Sequence, residues 1–271
     1  MSKDTGIEFC TATHNFWIGC IKISRGCKYC YFYREYDGRF KKDATKVKKG
    51  EAKFDAPLRW TKPELIFINS WSDFFIGQAD QWRKEAWEVI KNTPQHTYII
   101  ITKRAEMIKS RLPADWENGY ANVIIMVSIE DQQAFDKRVK HLFEIPGNRG
   151  LILEPLLGPV NISSALEVTL PHKVVKPLKW IIVGGETGND IGPYKYRMCR
   201  REWLADIVKQ SREKEVPVFV KQLGTGLSKQ LELAGDRAGS NFKNPRFPQY
   251  LKFRQYPQFI SEKHFPESDI I

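Results

Sequence analysis

The chain has 271 residues, 42% of them hydrophobic, and its 43 lysines and arginines outweigh 32 acids to give a formal net charge of +11 and a pI near 9.3. That length suits one substantial core, no apolar run is long enough to span a bilayer, and Met1-Ser2-Lys3-Asp4 lacks the apolar stretch of a leader. Five cysteines, odd in number with three close together, argue against a disulfide scaffold and for a reducing cytoplasm, while the cationic surplus makes nucleic acid the first partner to expect.

A strand is expected near Glu8–Thr13, followed by a loop reading Cys20-Ile-Lys-Ile-Ser-Arg-Gly-Cys27-Lys-Tyr-Cys30-Tyr31. Thiolate is the soft ligand that iron–sulfur clusters and zinc prefer, and a Cys-x-x-Cys pair can grip one metal centre. Three cysteines on a [4Fe–4S] cluster leave one iron free for a small molecule. With Cys10 or His14 as a fourth ligand the same set would instead make a structural zinc site. A lysine-rich stretch, Arg39–Lys53, comes next and reads either as a solvated loop or as a phosphate-contacting surface.

Strand-like runs then alternate with amphipathic segments. The runs are Glu64–Asn69, Thr97–Thr102, Asn122–Ile129, Gly150–Glu154, Trp180–Gly184 and Val216–Lys221, each nearly continuous in apolar residues, as parallel strands buried on both faces are. Helical spacing covers Ala79–Asn92, Lys103–Arg111, Asp131–Phe143 and Arg200–Lys214. About seven β/α units predict a TIM-type (β/α) barrel of parallel strands, complete or partly open, with the cysteine loop after the first strand. A doubly wound open sheet is the alternative. The whole chain, 1–271, is expected to form one domain, with 225–271 a basic and aromatic C-terminal extension packed on it. Its aromatics suit sealing the open side of a barrel better than stacking on bases.

Strand after strand ends on polar or glycine residues. Asn69, Ser70 and Asp73 follow one, Lys103 and Arg104 the next, then Ser128 with Glu130, Glu154, Gly184-Gly185-Glu186, and Lys221-Gln222. In α/β barrels these ends converge on the active site, so a lined cavity is expected. Ser128 and Glu130 would share a face and reach a ribose. Glu154 needs a partner, either an ion pair with Lys221 or Lys103 or a substrate. Gly184–Gly188 reads as a ligand-approaching turn or as a plain strand-to-helix turn. No Walker or Rossmann fingerprint is present.

An ordered series runs through Thr5-Gly6-Ile7-Glu8, Thr11–Asn15, Gly19-Cys20, Ser24-x-Gly26-Cys27-x-x-Cys30-Tyr31, Trp71-Ser72-Asp73 and Thr102-Lys103-Arg104. It continues with Val127–Gln132, Leu153–Leu156, Val183–Glu186 and Val220–Gln222. In this series the chain resembles a phage-associated family of three-cysteine barrel proteins known as a domain of unknown function, itself similar to an outlying branch of the radical S-adenosylmethionine (SAM) superfamily. The usual radical SAM spacing is Cys-x3-Cys-x2-Cys; in the phage-associated family the six-residue gap is the expected one.

The resemblance implies a [4Fe–4S] cluster on Cys20, Cys27 and Cys30 with SAM on the open iron. Contacts to SAM would come from Tyr31, Asn69, Ser70, Asp73, Ser128, Glu130, Gly184, Gly185 and Glu186, and to substrate from Lys103, Arg104, Glu154, Lys221 and Gln222. The expected activity is hydrogen abstraction from a nucleic-acid base or nucleotide in phage DNA modification. An electron donor such as flavodoxin or ferredoxin would serve it in the cytoplasm of a bacterial host, with no membrane partner. Three rivals remain: a basic metal-stapled nucleic-acid binder without catalysis, a metal-assisted hydrolase, and a radical SAM enzyme for a small metabolite or peptide. The absence of a clustered His/Asp motif weakens the hydrolase.

Overall fold

The computed structural model describes residues 5–50, 53–170, 173–233 and 240–265. Residues 1–4 of the N-terminal reading, and 234–239 and 266–271 of the C-terminal extension, lie outside the described residues.

A seven-stranded parallel sheet organises the molecule, and its spatial order follows the chain. The strands are β1 Ala12–His14, β2 Leu65–Ile68, β3 Thr97–Thr102, β4 Val123–Ser128, β5 Asn148–Leu153, β6 Trp180–Gly184 and β7 Val218–Gln222. Sequential order without a switch point distinguishes it from a doubly wound sheet. The sheet curls into an open half-barrel. Phe9, just before β1, shows how far: its ring lies 5.5 Å from Phe67 on β2, yet 6.3 Å from Trp180 on β6 and 6.5 Å from Phe219 on β7.

Side chains alternate across this sheet, as strand geometry requires. Leu65, Phe67, Ile99, Ile124, Met126, Ile152, Trp180, Ile182 and Phe219 form the inner cluster. Ile66, Ile68, Tyr98, Ile100, Ile125, Val127, Leu151, Leu153, Ile181, Val183, Val218 and Val220 face the outer one. Apolar residues therefore occupy both faces, which is why the runs do not alternate in sequence. The outer face is covered by α1 Asp80–Lys91, α2 Gln132–Phe143 and α3 Arg201–Glu213. Each fully buried Leu, Ile or Phe there contributes about 1.5–3 kcal/mol. Asp131 starts α2 by accepting the Ala134 amide at 2.9 Å, an N-cap that satisfies an otherwise unpaired donor.

The segment Lys103–Arg111 departs from expectation: it forms two short 3₁₀ turns, Ala105–Met107 and Lys109–Arg111, rather than a helix. Arg104 breaks the pattern, held at φ −102°, ψ 56° while its amide bonds to Thr102 Oγ1 at 2.9 Å. The expected first strand also begins late, because residues 7–10 turn back, with the Cys10 amide on the Ile7 carbonyl at 3.1 Å. Between β5 and β6 the crossover is a helical turn, Ser163–Leu166, and a hairpin of Val168–Leu170 with Lys173–Val175. Two further helices follow β7, α4 Thr225–Gln230 and α5 Gln258–His264.

The C-terminal part closes the gap between the sheet's edges. Arg254 pairs antiparallel with Phe219 on β7, flanked by Val220 N–Phe253 O at 2.7 Å and Gln255 N–Val218 O at 3.0 Å. Across the gap, Arg254 Nη1 donates to Glu8 Oε2 at 2.9 Å and Tyr256 Oη to the Glu8 carbonyl at 2.8 Å. Ile260 on α5 joins the inner cluster, with Phe259 and Phe265 packed against it. No described helix is long and apolar enough to cross a membrane.

Candidate functional site

Following each inward-facing row upward, the side chains change from apolar to polar at the C-terminal strand ends. Phe67 gives way to Asn69, Ile101 to Lys103, Met126 to Ser128, Ile152 to Glu154 and Phe219 to Lys221. All of these but Met126 and Phe219 line a cavity of about 190 Å³. Its wall also includes Cys20, Cys27, Cys30, Tyr31, Ser70, Asp73, Arg104, Gly185, Glu186 and Gln222. Two candidates are not on it: Glu130 and Gly184.

The cysteine segment is held over this mouth by backbone and side-chain ties to neighbouring loops and turns. Gly19 sits at φ +111° with Lys46 O only 2.3 Å from where a Cβ would be, so only glycine fits. The Cys20 amide bonds to Ala44 O at 2.9 Å, and the Cys20 carbonyl accepts Tyr33 Oη at 2.5 Å. A 3₁₀ turn, Arg25–Cys27, tucks Gly26 down until an added Cβ would lie 3.1 Å from Glu130 Cδ and 3.3 Å from Lys103 Cε. Arg25 reaches Asp131 Oδ2 at 3.1 Å. All five cysteines are free thiols.

Asp73 and Arg104 act together on this segment. Asp73 Oδ1 accepts from Thr102 Oγ1 at 2.8 Å and Phe75 N at 2.9 Å, and Oδ2 from Lys103 N and Arg104 Nη1, both at 3.1 Å. Arg104 Nη2 donates to the Ile21 carbonyl at 2.8 Å, and Nη1 lies 4.0 Å from Cys20 Sγ. Both residues are thus occupied in fixing the loop, whereas the sequence placed Asp73 with SAM and Arg104 with substrate.

The three thiols differ electrostatically. Burial, reinforced by Asp73, pushes Cys20 up to about 12, and burial also raises Cys30. Cys27 moves the other way: burial opposes ionisation, but Lys103 with donors from Ile23 and Ser24 brings it below its ordinary value. Lys103, which forms no ion pair with a described carboxylate, is the cation that acts most on Cys27 and Cys30, as Arg104 does on Cys20.

Asn69 is 2% exposed and sits at φ +53°. Its Oδ1 accepts the Phe16 amide at 2.9 Å, which orients the side-chain amide and leaves Nδ2 buried with no hydrogen-bond partner among the described residues. A buried donor left in this state on a cavity wall fits a ligand oxygen. Ser70 supplies its carbonyl to Tyr31 Oη and its hydroxyl to Asn15 Nδ2 at 3.4 Å. Ser128 Oγ donates to the Glu154 carbonyl at 3.1 Å.

Two carboxylates have partners the sequence left open or missed. Glu154 accepts Lys221 Nζ at 2.6 and 2.8 Å and Gln222 Nε2 at 2.7 Å, the ion-pair option rather than a free acid. Glu130 is paired with Arg138 at 2.6 and 3.2 Å, away from any ribose-contacting position on the cavity wall. Glu186 is gripped by Arg197, which sequence reasoning missed because a lone arginine in an irregular loop carries no periodic signal. The glycine pair beside it serves packing: a Cβ on Gly185 would lie 2.2 Å from Leu223 O, where the β6–β7 register shifts.

Neither Cys10 nor His14 reaches the cysteine cavity. Cys10 is buried with its thiol toward Ile7 O and pushed up to about 11 by that burial. His14 packs edge-on against Phe16 and Trp60, with Nε2 3.1 Å from Phe54 O and burial lowering it to about 4. Among the described residues no three His, Cys, Asp or Glu side chains converge on a point that would hold a single ion. A larger hollow of about 710 Å³ at the opposite end of the barrel is lined by Asn148, Lys176 and Glu215 among others, without a cysteine or histidine.

No curated protein and no solved structure matches the chain. One family model does, over residues 4–250, a span that contains every wall residue of the cavity. The chain belongs to the family described as "Protein of unknown function (DUF5131)".

Proposed function

We propose that the protein is a radical SAM enzyme acting on a nucleic-acid base or nucleotide. The observation that carries this reading is the company the three free cysteines keep: one cavity, at the C-terminal ends of a parallel half-barrel, shared with a buried donor and a lysine that find no partner among the described residues. The donor set fits an iron–sulfur cluster, since a cluster offers a separate iron to each thiolate and does not require the three sulfurs to meet at one point. Cys20, Cys27 and Cys30 would hold it. A [4Fe–4S] centre bound there would offer its open iron to the methionine end of SAM and, once reduced by an external electron donor, would supply the one electron that splits SAM into methionine and a 5′-deoxyadenosyl radical.

The chain's own residues bind, orient and shield. Asn69 Nδ2 donates to an anionic oxygen of the ligand, and Lys103 balances negative charge on the thiolates. The apolar floor of Phe67, Ile101 and Ile152 keeps water from a reactive intermediate. Lys221 and Gln222, prepositioned by Glu154, present nitrogen donors to a polar substrate edge. Exposed Lys22, Lys28, Arg39, Lys41, Lys42, Lys46 and Lys48 beside the mouth, with Phe40 and Tyr31, suit phosphates and bases of a nucleic acid.

The test is anaerobic reconstitution with iron and sulfide, reduction, and electron paramagnetic resonance with and without SAM. A reduced [4Fe–4S] signal that SAM perturbs is the expected result. A colourless protein with stoichiometric zinc, or a cluster indifferent to SAM, would overturn the proposal. The structural-zinc reading lacks its fourth ligand at Cys10 and His14, neither of which lies on the cavity wall.

A further inference from the structure

Next to the cysteine cavity lies a second one, of about 300 Å³, walled by the cysteine loop, the segment after β2, the turns after β3 and one turn of α2. Its chemistry is one-sided: Lys103, Arg104, Arg111, Lys137 and Arg138 line it against the carboxylate of Glu106. Two of these cations are already occupied, Arg104 by Asp73 and Arg138 by Glu130. The other three are not fully used. Arg111 clasps Asp80 through Nε at 2.6 Å and Nη2 at 3.0 Å, and its Nη1 is buried with no hydrogen-bond partner among the described residues. Lys103 and Lys137 pair with no described carboxylate. Gly77 lies close against this guanidinium, a Cβ there standing 3.3 Å from Arg111 Nη2.

We propose that this cavity is an anion site that takes a phosphate group. A guanidinium N–H without an acceptor carries an uncompensated desolvation cost that an oxyanion removes, and ammonium groups beside it complete a tetrahedral anion's coordination. Lys103 lines both cavities, so a phosphate held here adjoins whatever occupies the cysteine cavity. The inference rests on the proposed nucleotide substrate and extends it: the phosphate next to the reacting base sits here. The same chemistry would suit a free nucleotide, and the experiment separates the two sources.

Equilibrium binding at fixed salt would compare inorganic phosphate, thymidine monophosphate and a labelled single-stranded oligothymidylate on the reconstituted full chain, in wild type, Arg111→Gln and Lys137→Gln. The expected result is that phosphate competes with the oligonucleotide and that each substitution weakens both by about tenfold. Lys137 is solvent-exposed, so its variant reads the site without loss of fold. Thymidine monophosphate binding that depends on Arg111 and Lys137, with oligonucleotide affinity indifferent to them, supports the site with a free nucleotide as its ligand and removes the polynucleotide. Phosphate binding that is absent at millimolar concentration, or unchanged in both variants, overturns the proposal. Because these measurements need no SAM, a negative paramagnetic resonance result would leave them standing.

Discussion

Arg197 and Glu186 form a two-pronged clasp that reaches beyond itself. Arg197 Nε and its own amide both donate to Glu186 Oε2 at 2.8 Å, and Nη1 extends to the carbonyl of Arg25 at 2.9 Å. The end of β6 is thereby tied to the turn carrying Cys27. Glu186 is 5% exposed, so little solvent competes for it.

Glu186→Gln weakens this clasp while keeping its shape. The variant is expected to lose about 1–3 kcal/mol of stability, the range for charged hydrogen bonds left without their partner. Urea unfolding measures that loss. Iron retained per chain after reconstitution should fall as well, and unchanged retention would show that the clasp does not position the cysteine turn.

Single Cys20→Ser, Cys27→Ser and Cys30→Ser variants should each lose most bound iron and sulfide, measured by metal analysis and visible absorption. Cys10→Ala and Cys199→Ala should retain it, because both thiols are buried away from the cavity wall. Loss of metal from Cys10→Ala would bring the zinc reading forward.

The Glu130–Arg138 pair sets an acid limit to stability. Burial alone would raise Glu130, but Arg138, with help from Ser24 and Lys103, brings it below its ordinary 4.5. A depressed carboxylate contributes fully above the unfolded value and loses that contribution as pH falls from about 4.5 through the folded value. Glu130→Gln strands a buried guanidinium and is expected to cost about 3–5 kcal/mol at pH 7. The gap to wild type in urea midpoints should narrow below pH 4.5.

His14 acts in a higher window. It is 1% exposed and burial lowers it to about 4 from 6.5, so the unfolded chain binds a proton that the folded one refuses. Stability from this group is intact above pH 6.5 and declines as pH falls from 6.5 towards 4, with a limiting slope of about 1.4 kcal/mol per pH unit. His14→Gln should flatten that slope in urea titrations across the window.

The strands were readable because parallel strands buried on both faces announce themselves as unbroken apolar runs; Thr97–Thr102 and Trp180–Gly184 match residue for residue. The cavity followed from the same logic, since polar residues at strand ends must go somewhere. Partners were harder. Nothing in the spacing distinguishes Glu130, consumed by an arginine eight residues on, from Ser128, which stays on the wall. The Gly184-Gly185 pair stayed ambiguous for a physical reason: close approach to a neighbouring strand and close approach to a ligand place the same demand on sequence, and Gly185 both abuts Leu223 and lines the cavity. The 3₁₀ turns after β3 were illegible because the interruption comes from Asp73, some thirty residues earlier in the chain.

The seam between the sheet's edges joins Glu8 to Arg254, partners separated by 246 positions. Such a contact forms only after nearly all of the described chain has been made, and its closure entropy is among the largest the chain meets. Until then β7 is an open edge, a template for pairing with another molecule. The last stitch therefore does double service, finishing the inner chamber and retiring the surface through which half-made copies would aggregate. A chain cut before Phe253 should come out of cells as inclusion bodies even though every cysteine and every cavity-wall residue is still in it.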